Sequence, residues 1–416
     1  MTPVSPPTAG PTSLDRVRAR LRAVGQDHVL TFYDELDTAS QRALVAQIDA
    51  LDIEGLPALV ERYVTHPKPA HVASAPEPAQ HYPFDPASPE RPYDKAKYRA
   101  LGEQLIREGK VAAFVVAGGQ GSRLGFEGPK GKYPAGAVTG KPLFACLAEW
   151  IRAAAKAGGR PIPWYVMTSP LNHEETVAFF REHRFFGLDE RDVMFFAQGV
   201  MPSFDQKTGK LLLASKGEVA TNPDGHGGSL KALWASGAIA DMKRRGIEHI
   251  SYFQIDNPLV RAIDPVFLGL HVGAPDSSGE MTTKTVRKTD PAEKVGVVCR
   301  TSRGTEVIEY SDMPKELSEA RNPDGSVRFC AGSIAIHVLA VSFVERLNSA
   351  GFGLEYHRAV KKVPHVDLAT GQMVSPAQPN AIKLETFVFD ALPLCERVAV
   401  YETDRIEEFA PIKNAE

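Results

Sequence analysis

The residues best able to do chemistry here are cations set among glycines. Ala117–Pro134 reads AGGQGSRLGFEGPKGKYP and carries Arg123, Lys130 and Lys132. It directly follows KVAAFVV, an apolar run that reads as a buried strand ending at Val116. Gly118, Gly119 and Gly121 let a backbone turn tightly and approach a ligand with no Cβ in the way. The N–H groups exposed by such a loop bind anions. Arg123, Lys130 and Lys132 add full positive charges, so the pattern suits a phosphate chain. The spacing is not GxxxxGK[ST], and Gly119–Gly125 holds one residue too many for GxGxxG. A solvated surface turn is the bland alternative. It leaves the preceding strand and the PKGKYP continuation unexplained.

A carboxylate, Asp256 in QIDNPL, follows a second apolar run, Ile250–Ile255. Placed just beyond a buried strand, it stands at the edge where open α/β sheets bind ligands. A turn or helix-cap aspartate is the competing reading.

These residues need a frame, and the chain alternates strand and helix patterns. Val111–Val116, Trp164–Met167, Val193–Phe196 and Ile250–Ile255 read as strands. Pro142–Lys156, Asn172–His183 and Ser229–Arg244 read as helices, with Asn172 and Glu175 spaced as a capping box. This alternation predicts a doubly wound, mainly parallel α/β sheet. MTTKTVRK, KVGVVCRT and TEVIEYSD read as antiparallel strands, expected to form a β-rich insertion over about 280–340. Ahead of this core, residues 1–13 are rich in Pro, Ser and Thr and are expected to be disordered. Residues 14–64 are helical in pattern, with Leu14, Val17, Leu21 and Val24 on one face. Residues 66–93 contain eight prolines and read as an extended connector, followed by a helix over 94–108. The expected division is an N-terminal segment, 1–93, and a catalytic domain, 94–416.

Composition narrows the class. Of 416 residues, 43% are hydrophobic and 24% charged, as in a globular protein. A net charge of −3 argues against a nucleic-acid coat or a polybasic membrane anchor. No apolar run reaches the roughly 20 residues needed to span a bilayer, and the N-terminus lacks a signal-peptide pattern. Cys146, Cys299, Cys330 and Cys395 are scattered, with no zinc or disulfide spacing. A cytoplasmic monomer with no nucleic-acid or membrane partner is expected.

VVAGGQGSRLGFEGPKGKYP resembles the signature of the eukaryotic-type UDP-sugar pyrophosphorylases, closest to the branch acting on N-acetylhexosamines. IPWYVMTSP, FFAQGVMPSF, NPDGHGGSLKAL, YFQIDNPLV, EKVGVVCR, VIEYSDMP, NAIKLETFVFD and FAPIKNAE resemble further family blocks, in family order. The resemblance implies a Rossmann-like, GT-A-like nucleotidyltransferase fold with a mixed sheet. It implies a reaction of UTP with a hexose or N-acetylhexosamine 1-phosphate that yields a UDP-sugar and pyrophosphate, with Mg²⁺ as cofactor. By resemblance, Arg123 and Lys130 are the catalytic cations, and Lys132 a supporting charge. Val116, Ala117, Gly118, Gly119, Lys130, Gln198, Gly225, Asp256 and Lys383 match nucleotide-binding positions, with Asp256 also holding the metal. His226, Glu309, Tyr310, Ser333 and Lys413 match positions on the sugar-phosphate side. Phe387 and Phe389 read as core or pocket wall.

The sequence departs from the family pattern in three places. His226 stands where that branch has Asn, and FCAGSI puts Cys330 and Ser333 where two Asn are usual. Both changes bear on the sugar, and glucose 1-phosphate or a broad range of sugars is the alternative substrate class. The small C-terminal domain of the family is expected to be absent, since this chain ends at Glu416. A non-catalytic UDP-sugar-binding protein would not need Arg123, Lys130 and Asp256 intact, and the glycine spacing disfavours a nicotinamide-dependent dehydrogenase.

Overall fold

The computed structural model describes residues 13–67 and 75–415. The disorder expected over residues 1–13 falls outside them except at Ser13, which opens the helix Ser13–Ala23. The chain divides into two compact units. One comprises Met1–Ala70, Val200–Gly225 and Tyr356–Glu385, and the other comprises His71–Gly199, His226–Glu355 and Thr386–Glu416.

The larger unit is built on a ten-stranded sheet. Its strands are β1 (Glu77–Pro78), β2 (Val111–Val116), β3 (Trp164–Thr168), β4 (Val193–Ala197) and β5 (His249–Gln254). They continue as β6 (Met281–Arg287), β7 (Val297–Thr301), β8 (Gly304–Ile308), β9 (Ala331–Ala340) and β10 (Val400–Thr403). The order is β1-β7-β9-β5-β2-β3-β4, with β6 beside β9, β8 beside β7 and β10 beside β6. Strands β5, β2, β3 and β4 are parallel. Strand β2 is apolar on both faces because both are covered. Ala113 and Val115 pack with Trp164, Phe144, Leu147 and Ile151. Ala112 and Phe114 face the other way, onto Tyr165, Leu230, Met242 and Phe343. The doubly wound α/β reading therefore describes this half of the sheet.

The structure differs from the sequence reading in several places. Strands over 280–340 do not form a separate layer but continue the main sheet. The link is β9, an apolar run absent from that reading, which pairs antiparallel with β5, β6 and β7. Ser229–Arg244 is two helices, Gly228–Ala235 and Ala238–Arg245, parted at the left-handed Gly237. The described part of the connector supplies the edge strand β1, and Tyr82 pairs with Tyr401 of β10.

The smaller unit explains why residues 14–64 do not stand alone. Two short amphipathic helices cannot enclose a core. Val17, Leu21, Leu44 and Ile48 bury against Phe204, Leu213, Ile382 and Leu384 from the later stretches. The Gln47 amide donates to Val219 O and accepts from Val219 N–H, fixing the pairing.

In the larger unit Lys284 of β6 is fully buried. Its Nζ donates to Asp264 at 2.8 Å and to both carboxylate oxygens of Glu408 at 2.8 and 3.0 Å. At Lys284 and Asp264 burial opposes charge, but the facing opposite charges outweigh it. Lys284 is held above its ordinary pKa and Asp264 below. Lys284→Met should destabilise the protein by about 3–5 kcal/mol, because it strands buried carboxylates. Without its cation, Asp264 would be raised by burial. The folded variant would then bind more protons than the unfolded chain, and its stability would rise as pH falls from 7 toward 5. Urea melts of both proteins across that range should show the gap narrowing on acidification; a constant gap would count against a buried charge pair.

Candidate active site

Within the larger unit the topology gathers many of the predicted residues on one sheet edge. The parallel strands β2, β3, β4 and β5 end there, and the antiparallel β9 begins there, with Tyr252 opposite His337. Val297 at the start of β7 faces both Gly332 and Ile308. Strand β10 runs parallel to β6 and ends at Thr403 on the same edge. Thus Val116–Lys130, Gln198, Asp256, Glu309, Tyr310 and Ser333 all follow or precede strand ends on that side.

The glycine-rich loop is held by its own backbone and by neighbours. Ala117 N–H donates to Met167 O at 2.7 Å, Lys130 N–H to Gly119 O at 3.0 Å and Gly121 N–H to Gly128 O at 2.9 Å. The loop passes so close to Gln198 that a Cβ on Gly118 would lie 2.2 Å from its Oε1. At Gly131 a Cβ would strike the Phe144 ring at 2.0 Å, so the residue after Lys130 lies flat on the helix Leu143–Gly158. Asn172 caps no helix with its side chain. Fully buried, it accepts from Ser169 N–H at 2.8 Å and donates to Ala117 O at 3.1 Å and Gly119 O at 3.4 Å. The capping-box spacing is thus used differently: Asn172 braces the loop, and Glu175 pairs with Lys132 at 2.6 Å. That pairing occupies the supporting cation.

Lys130, Arg123, Asp256 and Lys413 form one electrostatic group. Burial lowers the Lys130 pKa, Asp256 opposes that shift, and Arg123 and Lys413 add to it. The Lys130 ammonium donates to Ile412 O at 3.3 Å. Arg123 and Lys413 are exposed and Asp256 is half-buried. The C-terminal segment ties these residues together: Ile412 N–H donates to Asp256 O at 2.8 Å and Ala415 N–H to Arg123 O at 2.9 Å.

A second group lies on the β7–β8–β9 side of the edge. Ser333 N–H donates to Gly296 O at 2.8 Å. A Cβ on Gly296 would meet the Glu309 carboxylate at 3.1 Å, so Ser333 and Glu309 flank one point of the chain. A bulge between Lys284 and Thr285 and a left-handed Ala335, with φ of 53°, re-aim β9 beside Ser333. Tyr310 is 48% exposed. His226 stacks on Phe387 with centroids 5.1 Å apart, and its Nδ1 accepts Val388 N–H at 3.1 Å. One ring nitrogen is therefore used to hold the Phe387–Phe389 segment, so the imidazole has a positioning task within its own unit. Gly225 and Lys383 belong to the smaller unit. There Asn222 Nδ2 donates to Pro223 O, two residues before Gly225, and to Leu384 O, next to Lys383.

Asn172, Asn257, Lys284 and Glu408 were not among the predicted residues. Asn257 could have been suspected from its place beside Asp256. The spacing of Asn172 suggested a helix cap and not a brace for the loop, and nothing in the spacing of Lys284 and Glu408 marks them.

The chain is similar to known proteins over most of its length. The family model described as UTP–glucose-1-phosphate uridylyltransferase matches residues 83–416. The chain is 39% identical over 414 residues to the Homo sapiens UDP-N-acetylhexosamine pyrophosphorylase-like protein 1, covering 96% of this chain and 80% of that one. It is 39% identical over 325 residues to the Saccharomyces cerevisiae UDP-N-acetylglucosamine pyrophosphorylase, covering 76% and 67%. The solved uridine diphosphate N-acetylglucosamine pyrophosphorylase of Trypanosoma brucei superposes with a TM-score of 0.80 at 28% identity, over 99% of this chain and 82% of that one.

The charges around Lys130 make a prediction that does not depend on turnover. Amine acylation needs the neutral form. Asp256→Asn removes the group that favours the ammonium and should speed acylation of Lys130 at pH 8, whereas Lys413→Ala should slow it. Site-resolved labelling followed by mass spectrometry would read this, and equal rates in all three proteins would break the electrostatic group apart.

Proposed function

We propose that this chain, which belongs to the UTP–glucose-1-phosphate uridylyltransferase family, joins UTP and N-acetylglucosamine 1-phosphate to give UDP-N-acetylglucosamine and pyrophosphate. The observation that carries the reading is the convergence of Arg123, Lys130, Lys413 and Asp256 beside the glycine-rich loop. A phosphate oxygen of the sugar 1-phosphate attacks the α-phosphorus of UTP. The bond from that phosphorus to the β-phosphate oxygen breaks, and pyrophosphate leaves with the electron pair.

The nucleophile arrives as an anion, so no serine, cysteine or general base is required. What the protein must supply is alignment of two polyanions and stabilisation of the leaving charge. The backbone of Val116–Gly119 lines the nucleotide, and the Gln198 amide meets the uracil edge with a donor and an acceptor. Arg123 and Lys130 take the triphosphate and the departing pyrophosphate. Lys413 takes the sugar phosphate, and Glu309, Tyr310 and Ser333 face the sugar.

Asp256 fits a hard divalent cation. It is a half-buried carboxylate at the sheet edge, and the described residues hold no cluster of three or more metal-ligating side chains. A single carboxylate suffices for Mg²⁺ when phosphate oxygens and waters complete the shell. When bound, Mg²⁺ would neutralise charge on the phosphates.

The test is pyrophosphate release from UTP and Mg²⁺ with a panel of sugar 1-phosphates. Arg123→Ala and Lys130→Ala should each lower kcat roughly 10²–10³-fold, the scale for losing one such donor, with the fold intact by circular dichroism. A variant keeping more than half of the wild-type rate would remove its residue from the mechanism. Ser333 cannot offer an N-acetyl group the paired donor and acceptor of an asparagine. One neutral hydrogen bond is worth about 0.5–1.5 kcal/mol, so glucose 1-phosphate should be used within about two orders of magnitude of the N-acetyl sugar, and Ser333→Asn should shift kcat/KM toward the latter. Discrimination already beyond about a thousandfold in the wild type would assign amide recognition to other residues.

A further inference from the structure

We infer that Asn257 is a positioning residue, which acts through the C-terminal segment Asp404–Ala415 to set the place of Lys413. The inference rests on the role proposed above for that lysine.

Asn257 is 6% exposed and reads the backbone of that segment with both ends of its amide. Nδ2 donates to Glu408 O at 2.7 Å, and Oδ1 accepts from Ala410 N–H at 3.2 Å and from Leu259 N–H at 3.2 Å. Beyond Ala410 the segment runs across the sheet edge. Ile412 N–H is fixed on Asp256 O and Ala415 N–H on Arg123 O. Lys413 lies between those two anchors. Ile412 O in turn receives the Lys130 ammonium. An ammonium has three donors, so this carbonyl can orient Lys130 while the others face phosphate.

The root of the segment is equally defined. Glu408 is fully buried and accepts from Lys284, from Thr403 Oγ1 at 2.6 Å and from Arg261 N–H at 3.1 Å. A purely structural segment could anchor anywhere on the surface. From Glu408 O onward, this one bonds to the rest of the chain at the residue beside Asp256, at Asp256 itself, at Arg123 and at Lys130. Asn257 and Glu408 therefore fix one end of a short lever whose other end carries a cation of the site.

The test is a double-mutant cycle on kcat/KM for N-acetylglucosamine 1-phosphate, with Asn257→Ala, Lys413→Ala and the pair. Each single change should lower kcat/KM roughly 10–100-fold, the scale for a misplaced group. If Asn257 works through Lys413, the pair should fall no more than about threefold below the worse single variant. Losses that multiply would overturn the inference while leaving the role of Lys413 standing. A silent Lys413→Ala would overturn both. Unchanged kcat/KM in Asn257→Ala with a lowered Tm would reduce Asn257 to a structural tie and overturn the inference alone. Should Asn257→Ala fail to fold, Thr403→Val removes one hydrogen bond at the root and keeps the side chain's shape. It should cost about threefold to tenfold in the wild-type background and nothing further beside Lys413→Ala.

Discussion

Much of this molecule depends on one buried ammonium. Lys284 sits in mid-sheet with no access to water, over the faces of Phe267 and Tyr401. Isolated there, it would cost several kcal/mol or lose its proton. It stays charged because two carboxylates close on it, and each carboxylate has a second task. Asp264 also accepts Val266 N–H at 2.9 Å and so starts the helix Pro265–Gly273. Glu408 starts the segment that carries Lys413. One ion cluster thus locks a helix, a strand and the C-terminal chain into a single arrangement. A hydrophobic trio could pack the same space with comparable stability. It would not fix the angle at which the C-terminal chain leaves the sheet.

That angle matters for the proposed reaction, which asks the site to place charge and not to move protons. Burial and the neighbouring Arg123 and Lys413 disfavour the charge on Lys130, and Asp256 favours it. Backbone bonds of Ala117, Gly119, Ile412 and Ala415 hold these groups together. In the proposed reaction, polyanionic substrates would offset the burial and the neighbouring positive charges. The cost of gathering the cations has then been met during folding, and little reorganisation is left for the transition state.

How far this was legible in the sequence follows from what each feature needs. The parallel half of the sheet was readable because β2, β3 and β4 are apolar runs separated by single helices, and β5 is a further apolar run behind a helical pattern. The glycine-rich loop was readable because Gly118 and Gly131 answer local steric demands, at Gln198 and Phe144. Strand β9 escaped because its apolar run could equally have been a helix, and only its three partners make it the seam of the sheet. Asn172 looked like a helix cap because spacing records what a residue could bond, not which of two acceptors lies nearer in the fold. Lys284 and Glu408 escaped for a stronger reason. They stand 124 residues apart, and each alone reads as an ordinary surface charge.

His226 shows where residue-by-residue transfer from a family stops. Read as a substitution, it adds a bulky polar ring beside a sugar. In place, its Nδ1 accepts a backbone N–H, so that nitrogen carries no proton and the neutral ring bears its hydrogen on Nε2. The stack on Phe387 fixes the ring plane. An asparagine could supply an acceptor for Val388 N–H, but it could not stack on an aromatic face. Restoring the family's Asn at 226 would therefore do more than change what faces the ligand. It would loosen the Phe387–Phe389 wall, so a change in sugar preference in such a variant would report wall mobility as well as amide recognition. Ser333 has no comparable stack and is held through its backbone to Gly296. A substitution there keeps that backbone bond and tests the proposed sugar contact more directly, which makes Ser333 the cleaner position from which to read specificity.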